Sequence, residues 1–178
     1  MGATARSVGS IPANQLDRGH WRRDVFARKK RGDDVGKTKK GKGTKIMLLI
    51  DSKGTPLAAD IASASEAEVN LIEPLLDRSV GQYLPDRLLY DRAADSDPLR
   101  ARLAQDRIEL ICPHRKNRKR PATQDGRALR RWKRRYRVER SISWLFNCRR
   151  LLVRHEYWSH LFAGFVQLAC LFTILKRF

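Results

Sequence analysis

Three short apolar runs constrain the fold of this chain more than any other feature: KIMLLID at 45–51, RLLYD at 87–91 and IELICPH at 108–114. Short runs bounded by turn residues are the signature of strands buried in a sheet. The first is followed by SKG and then TPLAADIAS (55–63), which together read as a β-hairpin with Asp51 as a structural turn residue. Helical patterns fall between the runs. In SASEAEVNLIEPLLDRS (63–79), Val69, Leu71, Ile72, Leu75 and Leu76 line one face, Ser65 and Glu68 have capping-box spacing, and Pro74 predicts a kink. SDPLRARLAQD (96–106) carries Pro98 in its first turn, with Asp97 as the expected cap. A basic loop at 115–127, a helical stretch from about 128 to 154 and a last helix near 157–175 complete the order. Strands and helices in this alternation predict an α/β domain with a mixed sheet. Residues 1–23 lack periodicity and read as loop or disorder.

Charge narrows the partners. The 178 residues carry a net charge of +19, and the sequence pI is about 10.8. Between Arg115 and Arg137 lie twelve Lys or Arg and a single Asp. Such density points to a polyanion, because neutralising phosphates releases condensed counterions. The expected partner is DNA. The candidate contacts are Lys37, Lys39, Lys40 and Lys42 in the first basic loop, and Arg115, Lys116, Arg118, Lys119 and Arg120 in the second. Arg131, Arg135, Arg149 and Arg150 add to them from the helical stretch. With 42% hydrophobic residues a packed core is expected. The run LFAGFVQLACLFTIL is shorter than the ~20 residues that cross a bilayer, and predicts a buried helix rather than a span. No membrane association is expected. Cys112, Cys148 and Cys170 form no CxxC pair, which argues against a zinc knuckle or disulfide framework and fits a reducing cytoplasm.

Among motifs, GDDVGKT (32–38) resembles a phosphate-binding loop but has three residues, not four, before Gly-Lys-Thr, and it precedes a strand. The reading is a flexible basic loop on DNA phosphates. His20, His114, His155 and His160 share no ligand spacing, and Trp132, Trp144 and Trp158 read as core or stacking residues. Asp91 ends an apolar strand, a position where α/β folds present catalytic side chains. Glu139 is an acid within a basic helix, with Arg135 four residues before it. A surface ion pair is the plain explanation for Glu139. Holding a cation would offset the cost of placing an acid on a DNA-binding face.

The long strings GKTKKGKGTKIMLLIDSKGTPLAADIASASEAEVNLIEPLLD and LLYDRAADSDPLRARLAQDRIELICPHRKNRKRPATQDGRALRRWKRRYRVERSISWLFNCRRLLVR resemble the catalytic domain of bacterial insertion-sequence transposases. The branch is the one grouped with the insertion-sequence four and five families, and the likeness covers residues 26–178. It implies a ribonuclease-H-like mixed sheet flanked by helices, with a DDE active site in which three carboxylates hold two divalent cations, normally Mg²⁺. It also implies cleavage at terminal inverted repeats, joining of the freed 3′ ends to target DNA, and a homo-oligomer when active. Carried over, Asp91 is the second carboxylate and Glu139 the third, both as metal ligands. Trp132 stands where the family usually has Tyr, and Arg135 matches the family's phosphate-contacting Arg.

The chain departs from the pattern at the first carboxylate. Aligning Lys29–Lys30 puts Arg22 at that position, and Asp24 fits only with a two-residue shift. Ala94 replaces an aromatic before Asp95. The family's helical DNA-binding region is missing, so residues 1–25 read as a disordered or frame-altered segment and 26–178 as the catalytic domain. The alternative to an active transposase is a catalytically dead DNA-binding remnant lacking the first Asp, able to pair with full-length transposase.

Overall fold

The computed structural model describes residues 6–11, 32–38, 41–82, 84–124, 126–132, 134 and 136–176. Its centre is a ten-residue strand, β3 (Gly41–Ile50), whose inner half, Ile46 to Ile50, is buried on both faces. Side chains alternate along a strand. Ile46, Leu48 and Ile50 therefore enter one hydrophobic cluster, and Met47 and Leu49 the other. The preceding β2 (Gly36–Thr38) pairs antiparallel with the outer end of β3, Gly41 to Gly43. β4 (Pro56–Ser63) pairs antiparallel along Thr44 to Ile50, closing the predicted hairpin. Asp51 makes the turn as expected. Its Oδ1 accepts from the amides of Lys53 and Thr55, both at 2.8 Å, and Gly54 takes the positive φ of 87° that the turn needs.

β1 (Arg6–Ile11) pairs antiparallel with the other edge of β3, over Ile46 to Ile50, and parallel with β5 (Arg87–Leu89). β5 pairs parallel with β6 (Glu109–Ile111). For Arg6–Ile11 this corrects the reading of residues 1–23 as loop or disorder; residues 1–5 and 12–23 lie outside the described residues. RSVGSI has too little apolar alternation to signal a strand, yet it fills the slot between β3 and β5, whose backbone groups need partners. The six-stranded sheet thus joins β2, β4, β3 and β1 antiparallel and adds β5 and β6 parallel to β1, a mixed α/β sheet as predicted.

Helices cover both faces. α1 (Ile72–Asp77) and α2 (Asp97–Gln105) bury Ile72, Leu75, Leu76, Leu99 and Leu103 against Met47, Leu49, Leu88, Tyr90 and Leu110. On the opposite face α4 (Tyr136–Leu145), α5 (Arg149–Leu152) and α6 (Ser159–Leu175) pack Val138, Leu145, Leu151, Phe162 and Val166 onto Ile46, Leu48 and Ile50. α3 (Gly126–Trp132) covers Leu89 and Ile111 with Ala128 and Trp132. The single helical stretch expected over 128–154 is therefore three helices.

Two capping expectations also change. The helix predicted from Ser65 begins at Ile72. Glu68 is drawn into the core instead, 3.5 Å from Lys45 Nζ and accepting from Tyr90 Oη at 2.8 Å, because the buried Lys45 ammonium needs a counter-charge. Pro74 falls in the first turn of α1, where no helical hydrogen bond is lost, so no kink results. Ser96, not Asp97, caps α2, with its Oγ accepting from Leu99 N at 3.4 Å.

Candidate carboxylate pair and nucleic-acid interface

Asp91 is positioned by the strand before it. Leu88 and Tyr90 point into the α1–α2 cluster and Leu89 into the α3 side. The backbone at Asp91 stays extended, with φ −85° and ψ −173°, so the alternation continues and places Asp91 on the side of Leu89. Its Oδ1 accepts from Ala93 N at 2.8 Å and caps a short 3-10 turn, Arg92–Ala94. Glu139 sits exposed on α4, on that same side of the sheet. α4 is fixed by Val138 and Leu145 in the core, by Ser141 Oγ donating to the Gly54 carbonyl at 2.7 Å, and by Arg137 donating to the Ser52 carbonyl. It lies across β1 and β3. The structure thus brings the strand of Asp91 and the helix of Glu139 to one face, with β1 beside them.

β1 is informative for what it lacks. Its register pairs Ser7 with Leu89 on β5 and Gly9 with Leu48 on β3. Counting two residues on from Leu89 puts position 9 level with Asp91, and Leu48 shows that position 9 belongs to the α4 face. RSVGSI holds no Asp or Glu. Asp24, the first carboxylate suggested by the sequence, lies outside the described residues, as do Lys39, Lys40 and Arg135. Among the described residues no three His, Cys, Asp or Glu side chains form a group that could hold a metal ion. Asp91 and Glu139 are the two expected carboxylates that fall among the described residues, and those residues alone do not make up the three-carboxylate donor set that the resemblance implies.

The basic loop after β6 is anchored by a residue the sequence reading passed over. Asp95, whose side chain is 2% exposed, accepts from Arg100 Nη2 at 2.9 Å, His114 Nδ1 at 2.9 Å, Arg115 N at 2.8 Å and Arg118 Nη1 at 3.3 Å. Burial alone would raise its pKa. Donation from the Arg115 amide, His114 and Arg100 outweighs that and holds the carboxyl well below the usual range. His114 Nε2 in turn accepts from Thr123 N at 3.1 Å, which puts the ring proton on Nδ1 and ties both ends of the loop to one imidazole. Arg115 donates to the carbonyls of Arg92 and Ala93, at 3.3 and 3.1 Å, in the very turn that Asp91 caps. Loop and carboxylate are therefore parts of one hydrogen-bonded unit. A run of acids in DRAADSD and of bases in RKNRKR signals attraction, but no spacing rule says which Asp takes which donor.

The predicted DNA contacts separate into groups. Lys116 and Lys119 are exposed on the loop, and Arg131 and Arg149 are exposed on helices. Arg118 is largely buried between Asp95 and Asp97, and Arg120 bonds Asp97 at 3.1 Å while remaining exposed. Arg150 pairs with Glu156 at 2.9 Å and lies 5.2 Å from the Phe165 ring. Lys37 and Lys42 are both exposed and are direct cross-strand partners on the β2–β3 ribbon. Like charges directly opposed are unfavourable. The arrangement becomes favourable when an anion lies across the ribbon. Gly36 holds the ribbon close, since an added Cβ there would meet Ser63 Oγ at 2.2 Å and Ser65 N at 2.5 Å.

The family model described as a transposase DDE domain matches residues 11–174. This chain belongs to the DDE transposase-domain family. It is 31% identical over 136 residues to a protein named as a transposase for insertion sequence element IS402 from Burkholderia cepacia, over 72% of this chain and 61% of that protein. The DDE-domain chain thus spans about three-fifths of that relative. Among solved structures, the piggyBac transposase in its synaptic complex with hairpin DNA shares the fold, with a TM-score of 0.56 at 10% identity, over 96% of this chain and 46% of that one. The ribonuclease-H-like sheet expected of the family is the sheet described above. No helix among the described residues is long and apolar enough to cross a membrane.

Proposed function

We propose that this chain is the ribonuclease-H-like part of an insertion-sequence transposase, gripping DNA at the element ends through its basic loop and ribbon. Its reaction is phosphodiester cleavage followed by strand transfer to target DNA, with Mg²⁺ as the cation implied by the family and Asp91 and Glu139 as two of its ligands. The observation that carries this reading is the unit joining Asp91 to the basic loop: Arg115 bonds the turn that Asp91 caps, so a phosphate held by Lys116 or Lys119 lies near that carboxylate. The expected setting is the bacterial cytoplasm, with full-length transposase as a further partner.

Binding to a duplex carrying insertion-sequence ends should weaken steeply with salt. With about six phosphate contacts, the slope of log K against log salt is expected near −5. A flat response between low and physiological salt would remove the basic-face reading. Lys37→Glu provides a sharper test. It should lower that slope by about one contact, yet raise fold stability by roughly 0.2–1 kcal/mol by turning an opposed like-charge pair with Lys42 into an attractive one. An unchanged slope in the folded variant would mean that Lys37 does not face DNA. For the chemistry, Asp91→Ala and Glu139→Ala should each abolish Mg²⁺-dependent nicking of a supercoiled plasmid bearing the ends, with DNA affinity changed by no more than about threefold. Nicking that survives both substitutions sinks the carboxylate assignment.

A second reading, a DNA-binding remnant that does not cut, is favoured by the absence of any acidic residue in β1 beside Asp91. It predicts the same salt-dependent binding with no nicking at all by the unmodified chain.

A further inference from the structure

α6 runs seventeen residues, SHLFAGFVQLACLFTIL, without one Asp, Glu, Lys or Arg, in a chain of net charge +19. Its inner face, Phe162, Val166, Ala169 and Cys170, is buried against the sheet. Its outer face is not the buried surface that the sequence suggested. Leu161, Leu168, Leu171, Phe172 and Leu175 stand 47–58% exposed. Leu161, Leu168 and Leu175 recur every seven residues, and Leu171 and Phe172 fill the intervening turn. At 100° per residue these five side chains fall in one stripe, the pattern of a helix seam that packs on another helix. Isolated surface leucines need no explanation, but a continuous stripe about 21 Å long does.

We infer that this stripe is the contact between two copies of the chain, paired antiparallel along α6 about a two-fold axis near Leu168. Area supports a second copy. The five side chains leave on the order of 500 Å² of apolar surface, so self-pairing would bury roughly 1,000 Å², the floor for a specific interface. Charge supports it too. Two strongly basic molecules repel over most of their surface, and the uncharged α6 lets them approach with least opposition. A DNA phosphate backbone gains nothing from an uncharged apolar face. Shape fixes the direction. Gly164 is exposed, and a Cβ built on it meets nothing within 4 Å. In an antiparallel pair centred on Leu168, position 164 lies opposite position 172, so the Phe172 ring fills the gap over Gly164 of the partner subunit. A two-fold contact is isologous, so this fit occurs twice.

The test is sedimentation equilibrium of the nuclease-treated chain in high salt, from about 1 to 100 µM. A reversible dimer is expected. Leu168→Glu, which opposes two carboxylates at the axis, should raise the dimer Kd by about 100-fold or more. Gly164→Phe fills the gap from the wrong side and should also dissociate the dimer. Because position 164 is open and Gly is a poor helix former, that variant should keep or raise the thermal midpoint of the monomer. A monomer at every concentration overturns the proposal, and so does a dimer that tolerates both substitutions. Transfer of the unmodified chain into neutral phosphatidylcholine vesicles, lost in Leu168→Glu, would assign the stripe to lipid and also overturn it. The inference is independent of Asp91 and Glu139: Leu168→Glu should leave the salt dependence of DNA binding per chain unchanged even where it abolishes pairing.

Discussion

Asp95→Ala is expected to destabilise the chain by about 3–5 kcal/mol, the usual cost of removing one partner from a buried charged network. Arg100 and Arg118, whose side chains are 13% and 12% exposed, would lose the carboxylate that compensates them. The Arg115 amide and His114 Nδ1 would lose their acceptor as well. For a chain of this size a loss of 1 kcal/mol lowers the midpoint by about 2–4 °C, so thermal unfolding should shift down by some 6–20 °C. Asp97→Ala is the control. Asp97 also holds Arg118 and Arg120, but at 27% exposure, against 2% for Asp95, solvent screens its ion pairs and its loss should shift the midpoint far less. Equal shifts for the two variants would show that Asp95 is not the anchor.

Acid should reveal the same anchor. The folded-state pKa of Asp95 is lowered, so its stabilising contribution is complete above the ordinary carboxylate range and is lost as pH falls through that range and below. The unmodified chain should therefore lose more stability than Asp95→Ala between about pH 5 and pH 3. Parallel losses in the two proteins would place the acid sensitivity elsewhere.

How legible the molecule was in its sequence depended on whether local pattern or distant geometry decided each element. β3, β5 and β6 announced themselves because both faces of their cores are apolar, and β4 and Asp51 did because hairpin and turn chemistry is local. β1 did not. RSVGSI is a strand because the sheet has a vacancy between β3 and β5, not because its residues favour one. Glu68 looked like a cap because Ser65 precedes it by three residues, but the buried Lys45 ammonium exerts the stronger pull. The resemblance singled out Asp91 and Glu139, and the sheet alternation places Asp91 on the face that α4 covers. Asp95 was invisible, since its four donors come from α2, from His114 and from the loop beyond β6, as far as 23 residues along the chain. α6 was read as buried from its composition, whereas its period divides it into an inward face and an outward one.

Gly9→Asp is expected to have the largest effect on chemistry. The register sets position 9 level with Asp91 and on the face that α4 crosses, so this substitution would supply a carboxylate where β1 has none. Three oxygen donors on neighbouring elements are a far better site for a hard divalent cation than two. If the unmodified chain is a DNA-binding remnant, Gly9→Asp should bind Mn²⁺ measurably by calorimetry where the parent does not. It should also raise cation-dependent nicking by on the order of 10³-fold, because a bound cation contributes several kcal/mol of charge stabilisation at about tenfold per 1.4 kcal/mol. Asp91→Ala in that background should remove both gains, which separates a built site from adventitious binding. The opposite result is equally specific. If the unmodified chain already nicks DNA, if Asp24→Ala abolishes that activity, and if Gly9→Asp adds nothing, then the first carboxylate is Asp24 and the strand beside Asp91 has no part in holding the cation. A parent without activity and a Gly9→Asp variant that neither binds Mn²⁺ nor cuts would mean that Asp91 and Glu139 do not converge on one site, and the carboxylate pair itself would fall.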